Sequence, residues 1–235
     1  LFETGIGAFF DPDLADRYGV QNPNEHLLIK NLNSLGITED RIDYVILSHL
    51  HFDHAGGLLP SFFAQQQGKI ELNFPNANYV VGKAAWERAQ APHPRDRASF
   101  LPDLNQKLQN SGRLEIIEQE SMPGKLGEVL SFRFSDGHTP GQMHSVIKGK
   151  NHTMIFCGDL IPGTDWCHIP ITMGYDRYPE KLIDEKTKLY QTAHPENWFL
   201  FYTHDSKYAV SQLEKNKKGK FQAINQMKKL NRFEI

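Results

Sequence analysis

The chain has 235 residues, 39% of them apolar, with 15 phenylalanines and a formal net charge of -2. That size and composition can fill a core, expected to be one domain over residues 1–235, and the near-neutral charge gives no reason to seek nucleic acid or an anionic membrane. Two cysteines, Cys157 and Cys167, exclude a disulfide framework and a cysteine-rich zinc module, and no apolar run approaches the roughly 20 residues of a membrane span.

The chain opens in a strand-like run, Leu1 to Thr4, closed by Gly5. Residues upstream are therefore expected, any signal peptide among them, with the cytoplasm the expected compartment otherwise. Glu25 to Leu35 follows, with Leu27, Leu28, Leu32 and Leu35 as the apolar face of a helix. Tyr44 to Leu47 and Tyr79 to Val81 have strand length and β-branched or aromatic content; Lys83 to Ala91 and Leu101 to Ser111 are helical patterns. Between those helices the proline-rich stretch Pro92 to Asp103 is a long loop expected to border a site.

Strands are expected at Leu114 to Ile117, Val129 to Phe134, Ser145 to Ile147, Thr153 to Cys157 and Trp198 to Tyr202. A helix with Pro179 near its start runs to Ala193, its buried stripe formed by Leu182, Ile183, Lys186, Leu189 and Tyr190. The basic run Lys215 to Lys220 is a solvated turn before a last strand, Phe221 to Ile224. Strands and helices alternate throughout, so the class is α/β or α+β with layered sheets.

One segment carries the chemistry: Ser48-His49-Leu50-His51-Phe52-Asp53-His54-Ala55-Gly56-Gly57. It holds four metal-ligand side chains within six residues, directly after a strand. In extended backbone His49 and His51 face the same way and converge on one ion. A turn into helix swings Asp53 and His54 toward a second ion, at the spacing of about 3.5–4 Å that lets one hydroxide bridge a metal pair. Without a cation, such crowding would bring together partly desolvated groups that repel one another.

Three further candidates follow strand ends: His138, Asp159 and His204. If those ends share one sheet edge, seven ligand groups meet where layered α/β folds place their sites. His168 lies near enough to Asp159 to line a substrate pocket, and Tyr175 is a second pocket candidate. His26, His93, His144, His152 and His194 are expected to be solvent-facing or structural.

The pattern H-x-H-x-D-H at His49 to His54, Gly137-His138-Thr139-Pro140-Gly141, Gly158-Asp159, and His204 before Asp205 resembles the metallo-β-lactamase superfamily. Glu3-Thr4-Gly5 matches its strand-plus-glycine opening, with Glu where Asp is usual. The resemblance implies a four-layer αββα sandwich of two mixed sheets flanked by helices, its first strands lying upstream of Leu1. It also implies one ion on His49, His51 and His138, a second on Asp53, His54 and His204, and Asp159 between them. Zinc is the expected metal, although iron, manganese or cobalt suit the same donors.

Within the superfamily the chain looks most like the N-acyl homoserine lactonase and methyl parathion hydrolase branch, through His51 to Leu58, Gly158 to Pro162 and Met173 to Asp176. That likeness implies a hydrolase of small ester-type substrates, a quorum-quenching lactonase in the first instance, with Asp53 both ligating metal and passing a proton to the leaving oxygen. One departure is Pro162, where lactonases of this group carry a Tyr three residues after the bridging Asp. Phosphotriester or phosphodiester hydrolysis is the alternative; thioester hydrolysis and a catalytically silent metal-binding protein are the remaining readings. Phe9-Phe10 and Phe62-Phe63 are candidates for a dimer face or a pocket lid.

Overall fold

Four apolar residues in a row, too few for a stable helix and rich in β-branched side chains, form strand β1 (Tyr44–Leu47) in the computed structural model, which describes residues 1–235. β1 pairs in parallel with β2 (Asn78–Gly82), and β2 with β3 (Leu114–Ile117), giving a sheet in the order β1-β2-β3. This sheet belongs to the first of two compact units, Leu1–Ile117 and Glu118–Ile235.

The helices of the first unit are α1 (Pro12–Arg17), α2 (Leu27–Ser34), α3 (Phe52–Ala55), α4 (Phe62–Gln66), α5 (Lys83–Gln90) and α6 (Pro102–Asn110). α1 and α6 start with proline at the first helical position, where a missing N–H costs nothing, and Asp11 caps α1 by accepting from Leu14 N at 2.9 Å. Leu104 and Leu108 of α6, Ala85 and Ala89 of α5, and Val45, Leu47, Tyr79 and Val81 of the sheet are buried in one core with Phe74 and Leu58.

Two expectations in this unit are corrected. The helix at 25–35 is shorter, and Leu27 and Leu35 are exposed while Leu28, Ile29 and Leu32 pack on the core. Its start is set by His26, whose ring caps α2 and also contacts the Gly57 carbonyl at 2.7 Å. The strand at Leu1 to Thr4 shrinks to a single bridge between Phe2 and Ile46, because Glu3 turns into the left-handed region at φ 55° and ends the extension.

The second unit holds a six-stranded mixed sheet: β4 (Leu130–Ser135), β5 (Gln142–Lys148), β6 (Thr153–Phe156), β7 (Phe199–Phe201), β8 (Val210–Lys215) and β9 (Phe221–Met227), adjacent in that order. Only β6 and β7 are parallel, and α7 (Pro179–Ala193) lies between them in sequence. Leu182, Leu189, Tyr190 and Ala193 of α7 pack with Ile155, Leu160, Ile161 and Leu200. The stripe read from sequence holds except at Ile183, which is only half-buried. Strand β8 has little signal in the sequence: in Val210-Ser-Gln-Leu-Glu-Lys215 only Val210 and Leu213 are apolar, so alternation is weak, and pairing with β7 and β9 decides it.

Strand direction determines the edge from which each loop emerges. β4 and β6 run the same way, each antiparallel to β5 between them, and β7 runs parallel to β6. His138, Asp159 and His204 each lie three residues beyond a strand end, after Ser135, Phe156 and Phe201 respectively, so all three leave the same edge of this sheet.

Leu104 is fully buried on α6, so Leu104→Ala is expected to cost roughly 2–5 kcal/mol through lost burial and the cavity left behind. Equilibrium denaturation would register this as a lower midpoint at unchanged slope; a loss under about 1 kcal/mol would mean that this core is loosely packed.

Candidate metal centre

In the first unit β1 ends at Leu47, the chain bends at Ser48 and runs through His49 and Leu50 to His51, the extended N-cap residue of α3 at φ −65°, ψ 150°. The chain then coils, as the glycine pair permits, through α3 and a 3-10 turn at Gly56–Leu58. The His49 ring lies 4.4 Å from that of His51 and 4.1 Å from that of His54, between centroids. All three side chains are buried. Asp53, in the first turn of α3, places Oδ2 3.6 Å from His54 Nε2 and keeps 35% of its side chain exposed.

Behind this cluster stands Glu3. Glu3 Oε2 lies 2.7 Å from His54 Nδ1, and Oε1 accepts from the Ser48 backbone N–H at 3.3 Å and from the Ser48 hydroxyl in a short bond. Ser48 Oγ is also 2.8 Å from His49 Nδ1. A carboxylate can only accept, so His54 donates from Nδ1. The Ser48 proton is committed to Glu3, so Ser48 accepts from His49 Nδ1–H. One buried carboxylate thereby fixes the tautomer of two histidines and leaves both Nε2 atoms as electron-pair donors. Glu3, His49 and His54 each offer a ligand atom within 4.8 Å of the others, but Glu3 faces the Nδ1 side and acts as their prop.

Glu3 reaches this place at the cost of its left-handed backbone, about 1–2 kcal/mol for a residue with a Cβ. Backbone bonds hold it there: Glu3 N to Ile46 O, Thr4 N to His54 O, and Gly57 N to Gly5 O, all within 2.8–2.9 Å. The approach is so close that a Cβ on Gly57 would lie 2.2 Å from the Thr4 oxygen. The glycine after the histidine motif therefore admits the segment that orients the histidines.

The second unit repeats the device. His138 Nδ1 is 2.9 Å from Asp176 Oδ1, and Asp176 is itself buried and accepts from Met173 N at 2.6 Å. His138 Nε2 then faces Asp159 Oδ2 at 3.2 Å, while His204 Nε2 faces the other oxygen, Oδ1, at 3.2 Å. The His138 loop is fixed from α7: Glu185 accepts from the backbone N–H groups of Asp136 and Gly137 at 2.8 and 3.0 Å, and a Cβ on Gly137 would lie 2.4 Å from Leu182 Cα. Burial pushes the Glu185 carboxyl up, and the two N–H bonds pull against it.

Donor chemistry in both clusters fits a divalent cation. The imidazoles of His54 and His138, each held on the far side by a carboxylate, stand with further histidines and with the carboxylates of Asp53 and Asp159, and this is the donor set of zinc and its neighbours. In the second cluster, ring nitrogens of His138 and His204 each lie 3.2 Å from an oxygen of Asp159, so two imidazoles and a carboxylate converge on one point, as a shared cation requires.

The remaining expectations divide. Tyr175 is 59% exposed and presents its ring edge-on to His138 at 6.0 Å. His168 is half-buried on the same segment. Phe100, in the loop expected to border a site, forms a bridge with His51, and that loop is tied by Arg88 to Asp96 at 2.7 Å. His144 is structural and buried, its Nε2 2.7 Å from Ser135 Oγ, and desolvation pushes it down to about 4. Burial pushes both thiols up, Cys167 to about 11, so neither supplies a thiolate. Next to Asp53 in sequence, Phe52 meets Phe10 edge-on and Tyr18 at a tilt, Phe10 stacks on Tyr18, and Phe9 packs against Phe10.

Sequence alone assigns no role to Ser48 or Asp176, and gives Glu3 only a place in an opening motif. Asp176 appears in the sequence only as the end of the Met173 to Asp176 run, with nothing to tie it to a histidine 38 residues away.

The model of the metallo-β-lactamase superfamily matches residues 1–204, and the chain belongs to that family. Its fold is the metallo-β-lactamase fold, here with a parallel sheet in the first unit, a mixed sheet in the second, and helices. An N-acyl homoserine lactonase from Bacillus cereus is 27% identical over 131 residues, 56% of this chain and 43% of the lactonase. The chain thus spans less than half the length of that curated relative. A probable metal-dependent hydrolase from Staphylococcus aureus superposes with a TM-score of 0.80 at 24% identity, covering 96% of this chain and 78% of that one. AidC, a dizinc quorum-quenching lactonase solved with a product, superposes at 0.69 and 22% identity, covering 95% and 74%.

Glu3→Gln leaves one acceptor where two are needed, and Asp176→Asn weakens the hold on His138. Each is expected to lower metal affinity about 10–100-fold in chelator competition. Wild-type affinity in both would show that the histidines are oriented by something else.

Proposed function

We propose that this chain is a metal-dependent hydrolase of small ester-type substrates, with a lactone ring opened on a pair of divalent cations. The observation that carries the reading is the repeated prop: Glu3 behind His54 and, through Ser48, behind His49, and Asp176 behind His138. A histidine that ligates metal through Nε2 almost always donates Nδ1–H to a carboxylate, a carbonyl or water. In this reading His49, His51 and His138 would hold one ion and Asp53, His54 and His204 the other, with Asp159 a further ligand. All seven lie within the family match.

Cations bound there would supply Lewis acidity and bring the pKa of water toward neutrality. The chain's own residues do the rest. Asp53 is the carboxylate with solvent access and is suited to hold a proton and pass it to the leaving oxygen. Asp159 and the histidines that follow β1 and β4 are buried, which strengthens every charge interaction around them. No hydroxyl or thiol nucleophile is needed.

Sequence similarity to N-acyl homoserine lactonases supports a lactone as substrate, and quorum quenching would be its consequence. A phosphotriester is the second reading, favoured by Pro162, which is buried and gives its carbonyl to His204 N at 2.9 Å instead of presenting a phenol to substrate.

Protein loaded with zinc and assayed in parallel on acyl homoserine lactones, aryl phosphotriesters and thioesters is expected to open the lactone, with turnover lost to chelator and regained on adding metal. Phosphotriester turnover alone would establish the second reading, and turnover indifferent to chelator would end both. Asp53→Asn is expected to lower kcat about 10²–10⁴-fold; an unchanged kcat would remove Asp53 from proton transfer.

A further inference from the structure

Lys186 of α7 is fully buried, and its ammonium donates to three backbone carbonyls: Ile171 at 2.7 Å, Trp166 at 3.1 Å and His168 at 3.3 Å. Lysine is almost never buried without a partner. Here carbonyl dipoles from one short segment take the place of a counter-ion, so the charge is committed to the shape of that segment.

The segment belongs to the connection from Asp159 to Asp176. The connection is anchored early by Asp205, which accepts from Thr164 N at 2.8 Å and Thr164 Oγ1 at 2.6 Å, and at Cys167 by the Tyr190 hydroxyl at 3.0 Å. It ends at Asp176 behind His138. Beyond Cys167, Lys186 supplies the side-chain donors that hold the carbonyls of His168 and Ile171.

We infer that Lys186 is a positioning residue whose ammonium holds segment 166–171, a wall that carries His168 on the connection between Asp159 and Asp176, and that loss of one of its N–H donors frees that wall. The consequence for substrate rests on the hydrolase reading; the hold on the wall does not. An ammonium has three N–H donors and a neutral amine two, so deprotonation strips one carbonyl of its partner.

Burial pulls Lys186 down to about 8, with Cys167 and Asp176 opposing the shift. The titratable groups on this segment and on α7 nearby also include His168, Asp184, Glu185 and Lys188; of the remaining two, Cys167 is pushed up to about 11 and the Tyr190 phenol well up by burial, so both stay neutral as Lys186 titrates. A lysine depressed in the folded state binds fewer protons there than when unfolded between about 8 and its ordinary 10.5. Its contribution to stability therefore rises with pH across that window. Wall order and this stability contribution move in opposite directions, which general alkaline unfolding would not produce.

Hydrogen exchange followed by mass spectrometry on the full chain, corrected for intrinsic rates, tests this directly. In wild type the protection of residues 166–173 is expected to fall about tenfold between about pH 7 and pH 9, and in Lys186→Met to be low and flat across that range. Protection in wild type that does not change with pH overturns the inference, as does wild-type protection in Lys186→Met. If Lys186→Met does not fold, the wild-type titration decides alone. With turnover in hand, Lys186→Met is expected to raise KM more than it lowers kcat, and a fall in kcat at constant KM would count against a wall role. The exchange result stands or falls whether or not any ester is cleaved.

Discussion

Imidazole has two nitrogens, and a histidine becomes a reliable ligand through one only when the other is held. In this protein carboxylates do the holding. Glu3 governs His54 directly and His49 through the Ser48 hydroxyl, and Asp176 governs His138. Much else in the structure can be traced to that requirement. Glu3 sits in left-handed backbone because the Nδ1 atoms lie where an extended chain would not bring its side chain, and Gly57 lacks a side chain because the Glu3 segment passes over it. Strain at such a position is tolerated where surrounding bonds over-determine it, as the backbone bonds from residues 3, 4 and 57 do.

The sheets provide the second constraint. A strand offers a rigid end, and a residue shortly beyond that end is positioned by the sheet while its side chain is free of the pleat. The three candidate ligands of the second unit each stand three residues past a strand whose direction is shared with the others. α7 buttresses that edge: Glu185 grips the loop before His138, and Lys186 grips the segment after Asp159. One helix face, apolar at Leu182 and Leu189 and charged between them, thus ties packing to the geometry of the site.

The histidine cluster is legible in the sequence because its signal is local. His49 to His54 crowd into six residues, and β1, α6 and α7 follow from runs and periods that short windows contain. The props are not legible because their meaning is tertiary. Glu3 and His54 are 51 residues apart, His138 and Asp176 38, and a single acid carries no sign of the ring that it will hold. The same reason explains β8, whose weak alternation is overridden by neighbours on both sides, and α2, whose start depends on His26 meeting the Gly57 carbonyl.

Seven side chains are proposed to share two cations, and locating the metal tests that proposal most directly. Anomalous diffraction at the zinc edge from zinc-loaded crystals should give two peaks per chain, one about 2.0–2.2 Å from nitrogens of His49, His51 and His138 and one at like distance from Asp53, His54 and His204, with Asp159 reaching both. A single peak coordinated by Glu3, or zinc bound only at surface histidines such as His93 or His152, would contradict it.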